Sequence, residues 1–289
     1  MNYLDALDGE LRRAGIPPRR RARITAELAD HLHENPQAEL GAPPDLARQF
    51  ANELGTGLAR LTAYRTFAAL AFAGVGLAVM FVAVGRMRGL TLYGQQHTPT
   101  PTWTAPILLL AALAAQVALA AGGLALLRAR RLRHERVISR IDATVLARRS
   151  AVGLLAGAVT LAALPAAALA FPHAAGSTWT TFAWIVAGCS LAVIALELPQ
   201  LVVSARLRPH VDGPARDLID DLGRDWVPAA LTPLRCALLL AAVITIVLTA
   251  AGIVTADPYD GALRAITDAL ACMIGFTVLG GYLGLRTTG

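Results

Sequence analysis

Apolar positions along this chain of 289 residues fall into two regimes. Near the N-terminus they recur at helical spacing: Leu4, Leu7 and Leu11, then Ile24, Leu28 and Leu32, then Leu46, Phe50 and Leu54. This predicts three short amphipathic helices. Gly15 ends the first, Pro17 and Pro18 open the second, Asn35 and Pro36 close it, and Pro43-Pro44-Asp45 opens a third that stops before Gly55.

From Thr66 onward the pattern changes to long, nearly unbroken apolar runs. A hydrocarbon core of about 30 Å takes about 20 helical residues to cross. Six runs reach that length: Thr66 to Gly85, Thr104 to Leu127, Ala151 to Phe171, Thr180 to Val203, Cys236 to Thr255 and Leu263 to Leu285. The expectation is an all-α protein, a polytopic bundle of six transmembrane helices at residues 57–289 behind a small three-helix domain at residues 1–56.

Composition agrees. The chain is 55% hydrophobic and 16% charged, against about 25% charged in soluble domains. Its net charge of +6 would suit a nucleic-acid ligand, but the 26 basic residues are all Arg and lie between the apolar runs, where positive charge orients a membrane protein. Arg residues number nine up to Arg65, eight between Arg128 and Arg149, five between Ser204 and Arg235 and one in the tail, which places 23 of 26 on one side. Short basic loops stay in the cytoplasm, so both termini are expected there, in the inner membrane of a bacterium. Pro172 to Trp179 and Ala256 to Ala262 then become short outer loops. The acidic, polar start of the chain is unlike a cleavable signal peptide.

The N-terminal helices resemble a known family. Ile16-Pro17-Pro18-Arg19, the run Glu27-Leu28-Ala29-Asp30-His31-Leu32, and Leu40-Gly41-Ala42-Pro43-Pro44-Asp45-Leu46-Ala47 are similar to the HAAS signalling domain, also called the permease prefix domain. The resemblance covers about a fifth of the chain. It departs from the family in the stretch Asn35 to Glu39, which is too short for the further helix usual there. The resemblance implies a cytoplasmic interaction or sensing module ahead of membrane helices, and it brings no catalytic residues.

Chemistry-bearing residues are few. Glu197, Asp268 and Gln116 lie inside apolar runs, where a charge or unpaired amide is costly without a partner. Glu197 is expected about 9 Å from the inner end of its helix, meeting a break at Pro199 or a cytoplasmic Arg such as Arg206. Asp268 has Arg264 one turn away, and Gln116 is expected to bond between helices. The pairs Gly153 with Gly157 and Gly280 with Gly284 allow close helix packing. His31 and His33 are two apart and diverge on a helix, and no nucleophile elbow or phosphate-binding loop is present. No catalytic residue, metal or cofactor is therefore expected, and Cys189, Cys236 and Cys272 are small apolar fillers.

Leu28, Leu32, Leu46 and Phe50 are expected to form a shared core of the second and third helices and to support partner docking. Arg19, Arg20, Arg21 and Arg23 would face anionic lipid, as would Arg128 to Arg133. The expected partners are membrane lipid and a cytoplasmic protein, whether a regulator, a kinase or an ATPase subunit, with self-association open and direct nucleic-acid binding excluded. The reading is a non-enzymatic regulator; the rival is a small transporter or an exporter's membrane subunit.

The topology is testable in a background without native cysteines. His97→Cys, Gly176→Cys and Tyr259→Cys should each be labelled by an impermeant thiol reagent added to intact cells, whereas Ser139→Cys and Gly213→Cys should not. Labelling at residue 213 would defeat the six-helix topology.

Overall fold

A computed structural model describes residues 3–37, 39–87, 104–170, 172–207 and 209–213, with isolated positions between 238 and 273. All regular structure among the described residues is helical: α1 Tyr3–Arg13, α2 Pro18–Glu34, α3 Pro43–Met87, α4 Thr104–Arg131, a single 3-10 turn Leu132–His134, α5 Arg140–Ala170 and α6 Pro172–Arg206. Among these residues, Leu113–His134, Arg140–Ala163 and Trp184–Arg206 are stretches long and apolar enough to cross a membrane. Of the expected fifth and sixth runs only those isolated positions are described, and Asp268 and the pair Gly280 and Gly284 fall outside the described residues.

Local chemistry sets the first two helices. Gly15, at φ +79°, ends α1. The Gly15 N–H donates to the Arg12 carbonyl at 3.0 Å and the Ile16 N–H to the Leu11 carbonyl at 3.1 Å, which is the Schellman arrangement that satisfies the last carbonyls of a helix. Leu11 and Ile16 are both buried, in one apolar cluster. Pro18 then opens α2, where its missing N–H costs nothing.

The third helix departs from expectation. α3 does not stop at Gly55 but runs unbroken for 45 residues, about 68 Å, so the expected boundary at residue 56 falls inside a helix. Gly55 serves close packing instead, because a Cβ there would collide with the Leu207 carbonyl oxygen and touch Pro209. Likewise the expected outer loop Pro172 to Trp179 is the start of α6. α6 also passes through Pro199 without ending, although proline removes one ladder hydrogen bond.

α3 to α6 form an antiparallel, up-and-down bundle. Gly55 meets Leu207, Arg65 meets Glu197 and Gly76 meets Val186, which sets α3 against α6 head to tail. Arg128 meets Asp142, Leu124 meets Arg149 and Gly122 meets Gly153, which does the same for α4 and α5. The helices approach closely because the buried faces are rich in alanine: one cluster joins Ala59, Ala63, Ala125, Ala129, Leu132, Ile138, Ala143 and Leu146. A second joins Ala69, Ala73, Leu154, Leu161 and Ile194. Leu70 is the knob between them. A Cβ added at Gly122, Gly153 or Gly157 would lie 2.7, 3.3 or 2.6 Å from its terminal carbons, so Gly153 and Gly157 are internal packing sites.

The N-terminal core is centred elsewhere than expected. α1 packs on both α2 and α3, and the fully buried residues are Leu7, Leu11, Ile16, Ala47, Ala51 and Leu58, joined by Leu207 from beyond α6. Leu28, Leu46 and Phe50 are only partly buried at its edge. Leu32 is half-buried and lies outside the cluster, and α2 has no fully buried residue. The expected shared core of Leu28 and Leu32 with Leu46 and Phe50 is therefore replaced by one built on α1, because α1 lies between the other two helices and takes up their apolar faces.

Gly55 and Gly57 provide a contrast. Gly55→Ala forces a side chain into the Leu207 backbone and should cost about 1–3 kcal/mol, lowering the thermal midpoint. Gly57 has open space around it, so Gly57→Ala should leave the midpoint unchanged or raise it, alanine being up to about 1 kcal/mol the better helix former. Thermal unfolding of the purified protein in detergent checks both.

Candidate functional site

The arginine-rich end of the bundle concentrates its polar chemistry. α5 is preceded by Ser139, whose hydroxyl accepts the Asp142 N–H at 3.1 Å and donates to the Asp142 carboxylate at 2.9 Å. An N-cap serine followed three residues later by an acid satisfies the orphan donors of a helix start. The same Asp142 carboxylate lies 3.9 Å from Arg128 Nη1, at the end of α4, and both side chains are 1% exposed. Arg149, about two turns further along α5, is also fully buried and donates to the Leu124 carbonyl at 3.0 Å. Arg128 and Arg149 are thus the largest fully buried side chains among the described residues.

A second ionic contact links α3 to α6. Arg65 Nε lies 3.0 Å from Glu197 Oε2, and Arg65 Nη1 donates to Gln200 Oε1 at 3.3 Å. Glu197 is buried, while Arg65 keeps 44% of its side chain exposed. The expected partner Arg206 is replaced by Arg65, since α3 packs along α6 and brings Arg65 to the same level. Gln116, half-buried on α4, does take part in a polar interaction.

Two connectors are clamped over this end. The segment after α6 runs from Leu207, buried in the α1 and α3 core, to Pro209 beside Gly55. The His210 N–H donates to Asn52 Oδ1 at 2.8 Å, the Arg140 N–H to the Val211 carbonyl at 2.8 Å, and Gly213 lies against Ser139. On the α4 to α5 connector the Ile138 N–H donates to Thr56 Oγ1 at 3.0 Å, and Arg136 pairs with Glu53 at 3.1 Å. Arg60 donates to the Arg133 and Glu135 carbonyls. Burial lowers its pKa from the ordinary arginine value, against the pull of Glu135. α3, the α4 to α5 connector and segment 207–213 are therefore tied through α3 positions 52–60.

The basic residues expected at lipid divide. Arg19 and Arg20 are exposed, Arg23 is exposed and pairs with Glu27 at 2.7 Å, but Arg21 is mostly buried and reaches Asp8 of α1 at 3.3 Å. Arg21 thus fastens α2 to α1. Arg130, Arg131 and Arg133 are exposed, whereas Arg128 is inside the bundle and makes no headgroup contact. Cys189 is an exposed free thiol on α6. Among the described residues, no group of three or more His, Cys, Asp or Glu side chains could hold a metal ion.

Sequence reasoning missed Arg128, Asp142, Arg149 and Leu207. The spacing Ser139-Arg140-Ile141-Asp142 carried a capping signal for the second of these. Nothing local separates Arg128 from its exposed neighbours. No known protein family, curated protein or solved structure matches this chain.

The buried pair makes a specific prediction. Asp142→Ala removes the carboxylate that faces Arg128 and accepts the Ser139 hydroxyl, so stability should fall by about 3–5 kcal/mol, the usual effect of breaking a buried ion pair. Glu197→Gln should cost much less, because its partner Arg65 remains partly in water. Thermal midpoints of the two variants order them; a milder effect for Asp142→Ala would show that the cluster is not holding the bundle end.

Proposed function

We propose that this chain is a six-helix protein of a bacterial inner membrane that acts as a non-enzymatic regulator, its cytoplasmic N-terminal helices relaying the state of the membrane bundle to a soluble protein partner. The observation that carries this reading is the continuity of α3. One unbroken helix, Pro43–Met87, contributes Ala47, Ala51 and Leu58 to the N-terminal core and Ala69 and Ala73 to the bundle core. Leu207, just past the end of α6, is buried in the same N-terminal core. Movement of α3 against α6 therefore changes the surface built by α1 and α2. The HAAS-like sequence of that region agrees, since domains of that kind are interaction modules. α2, with no fully buried residue and Arg19, Arg20 and Arg23 exposed, is the face offered to the partner or to anionic lipid.

One observation favours a second reading, a small transporter or an exporter's membrane subunit. Glu197 is a buried acid inside a stretch able to cross the membrane, and such acids often belong to substrate or ion paths.

Crosslinking in native membranes, followed by identification of the captured proteins, separates the two. A transcription factor or kinase supports regulation, and a nucleotide-binding subunit supports transport. Leu11→Ala should abolish capture, because truncating a fully buried leucine costs about 2–5 kcal/mol and the N-terminal core is small. Membrane levels should stay normal, since the spanning helices satisfy their own backbone. Capture at the original yield, with α1 shown by proteolysis to be unfolded, would remove the N-terminal helices from the mechanism.

A further inference from the structure

The level of Leu70 fixes what lies one turn closer to the arginine-rich end. Leu70 on α3 touches the positions of Gly122 on α4 and of Gly153 and Gly157 on α5, and Gly157 also faces Ile194 on α6. One turn inward from these, three or four residues along each helix, stand Thr66 on α3, Ala125 on α4, Ser150 on α5 and Glu197 on α6. A polar layer therefore sits inside the bundle, with Ala69, Leu154 and Ile194 above it and Ala63 and Leu146 below.

Thr66 and Ser150 are both 0% exposed, and neither hydroxyl oxygen has a hydrogen-bond partner among the described residues. A threonine or serine inside a helix can bond back to the carbonyl one turn earlier, as Thr62 does to Leu58 at 2.8 Å. These two do not. Two unpaired hydroxyls at the level of a buried carboxylate, inside an apolar bundle, are a costly arrangement unless something small and polar meets them. The charged groups around the layer are Arg65, which pairs with Glu197, and Arg149, which donates to the Leu124 carbonyl. With the Glu197 charge already met by Arg65, a bound metal cation has little to gain. Water suits better, since it both donates and accepts and takes two to four polar partners. Exposure is graded toward this layer, falling from 44% at the Arg65 side chain to 11% at that of Glu197 and to nothing at Thr66 and Ser150.

We propose that Thr66, Ser150 and Glu197 form a water-holding site inside the bundle, filled from the arginine-rich end past Arg65. The site is independent of the regulatory reading, because it rests on helix packing alone. It gives Glu197 an aqueous contact within a span, which either function would use to exchange a proton or admit a small polar solute.

The full-length protein carrying Thr66→Val and Ser150→Ala tests it with almost no change of shape. If the hydroxyls hold water, the double variant strands that water, and the thermal midpoint should fall by about 2 °C or more. If the layer is dry, removing two unpaired hydroxyls relieves strain; an unchanged or higher midpoint overturns the proposal. A second measurement uses single cysteines in a background lacking the native three. Thr66→Cys and Ser150→Cys should react with a small charged methanethiosulfonate several-fold faster than Leu154→Cys in the apolar layer above. Rates at 66 and 150 no faster than at 154 also overturn it.

Discussion

Buried arginine needs an acceptor, and the arginine-rich end of the bundle is organised around that need. Arg128 and Arg149 are fully enclosed between α4 and α5, and the groups that answer them are the capping acid of α5 and a carbonyl of α4. Moving charge out of water is expensive, and the loss is recovered only where geometry and further hydrogen bonds are good. Asp142 therefore has to be held in place, which Ser139 does from the helix cap. Ser139 is in turn covered by Gly213, and the neighbouring Ile138 N–H is bound by Thr56 of α3. The connectors are short of freedom because each closes over a group that cannot be left unsatisfied.

The remainder of the bundle uses the opposite device. Alanine and glycine leave little side chain between helices, so Leu70 reaches three glycines on two neighbouring helices at once. Such packing draws its energy from contact and shape, which suits an environment where lipid is as apolar as the side chains. The two devices meet at the level of Thr66, Ser150 and Glu197, where tight apolar packing gives way to polar groups.

Much of this was legible in the sequence, and the exceptions have definite causes. Long apolar runs located α4, α5 and α6 because length and hydropathy are properties of one segment. The amphipathic spacing of Leu7 and Leu11 located α1 for the same reason. Gly55 was misread because glycine ends a helix in one context and permits a backbone approach in another, and only the position of Leu207 decides between them. The 172–179 stretch was misread as loop because Pro172, Gly176 and Ser177 are turn formers locally, while proline is also at home in a first helical turn. Arg128 beside Arg130 and Arg131 gives no local sign of burial; its environment is made by α5. Glu197 was recognised as a costly residue, but its partner lies 132 positions away, at a distance no spacing rule reaches.

The unbroken course of α3 has a mechanical consequence. From Thr66 back to Pro43 the helix extends about 35 Å, and over that length it acts as a lever whose short-range play is magnified. A tilt of about 5° where α3 touches Gly122 and Gly157 would carry the far end through roughly 3 Å, comparable to the helix shifts of 1–2 Å seen at switching interfaces. Leu207 and Arg65 would resist the swing from the side of α6, and the α4 to α5 connector, held by Thr56 and Glu53, would resist it as well. A small change of angle between α3 and its neighbours would thus reach α1 and α2 as a displacement of the ground they pack on.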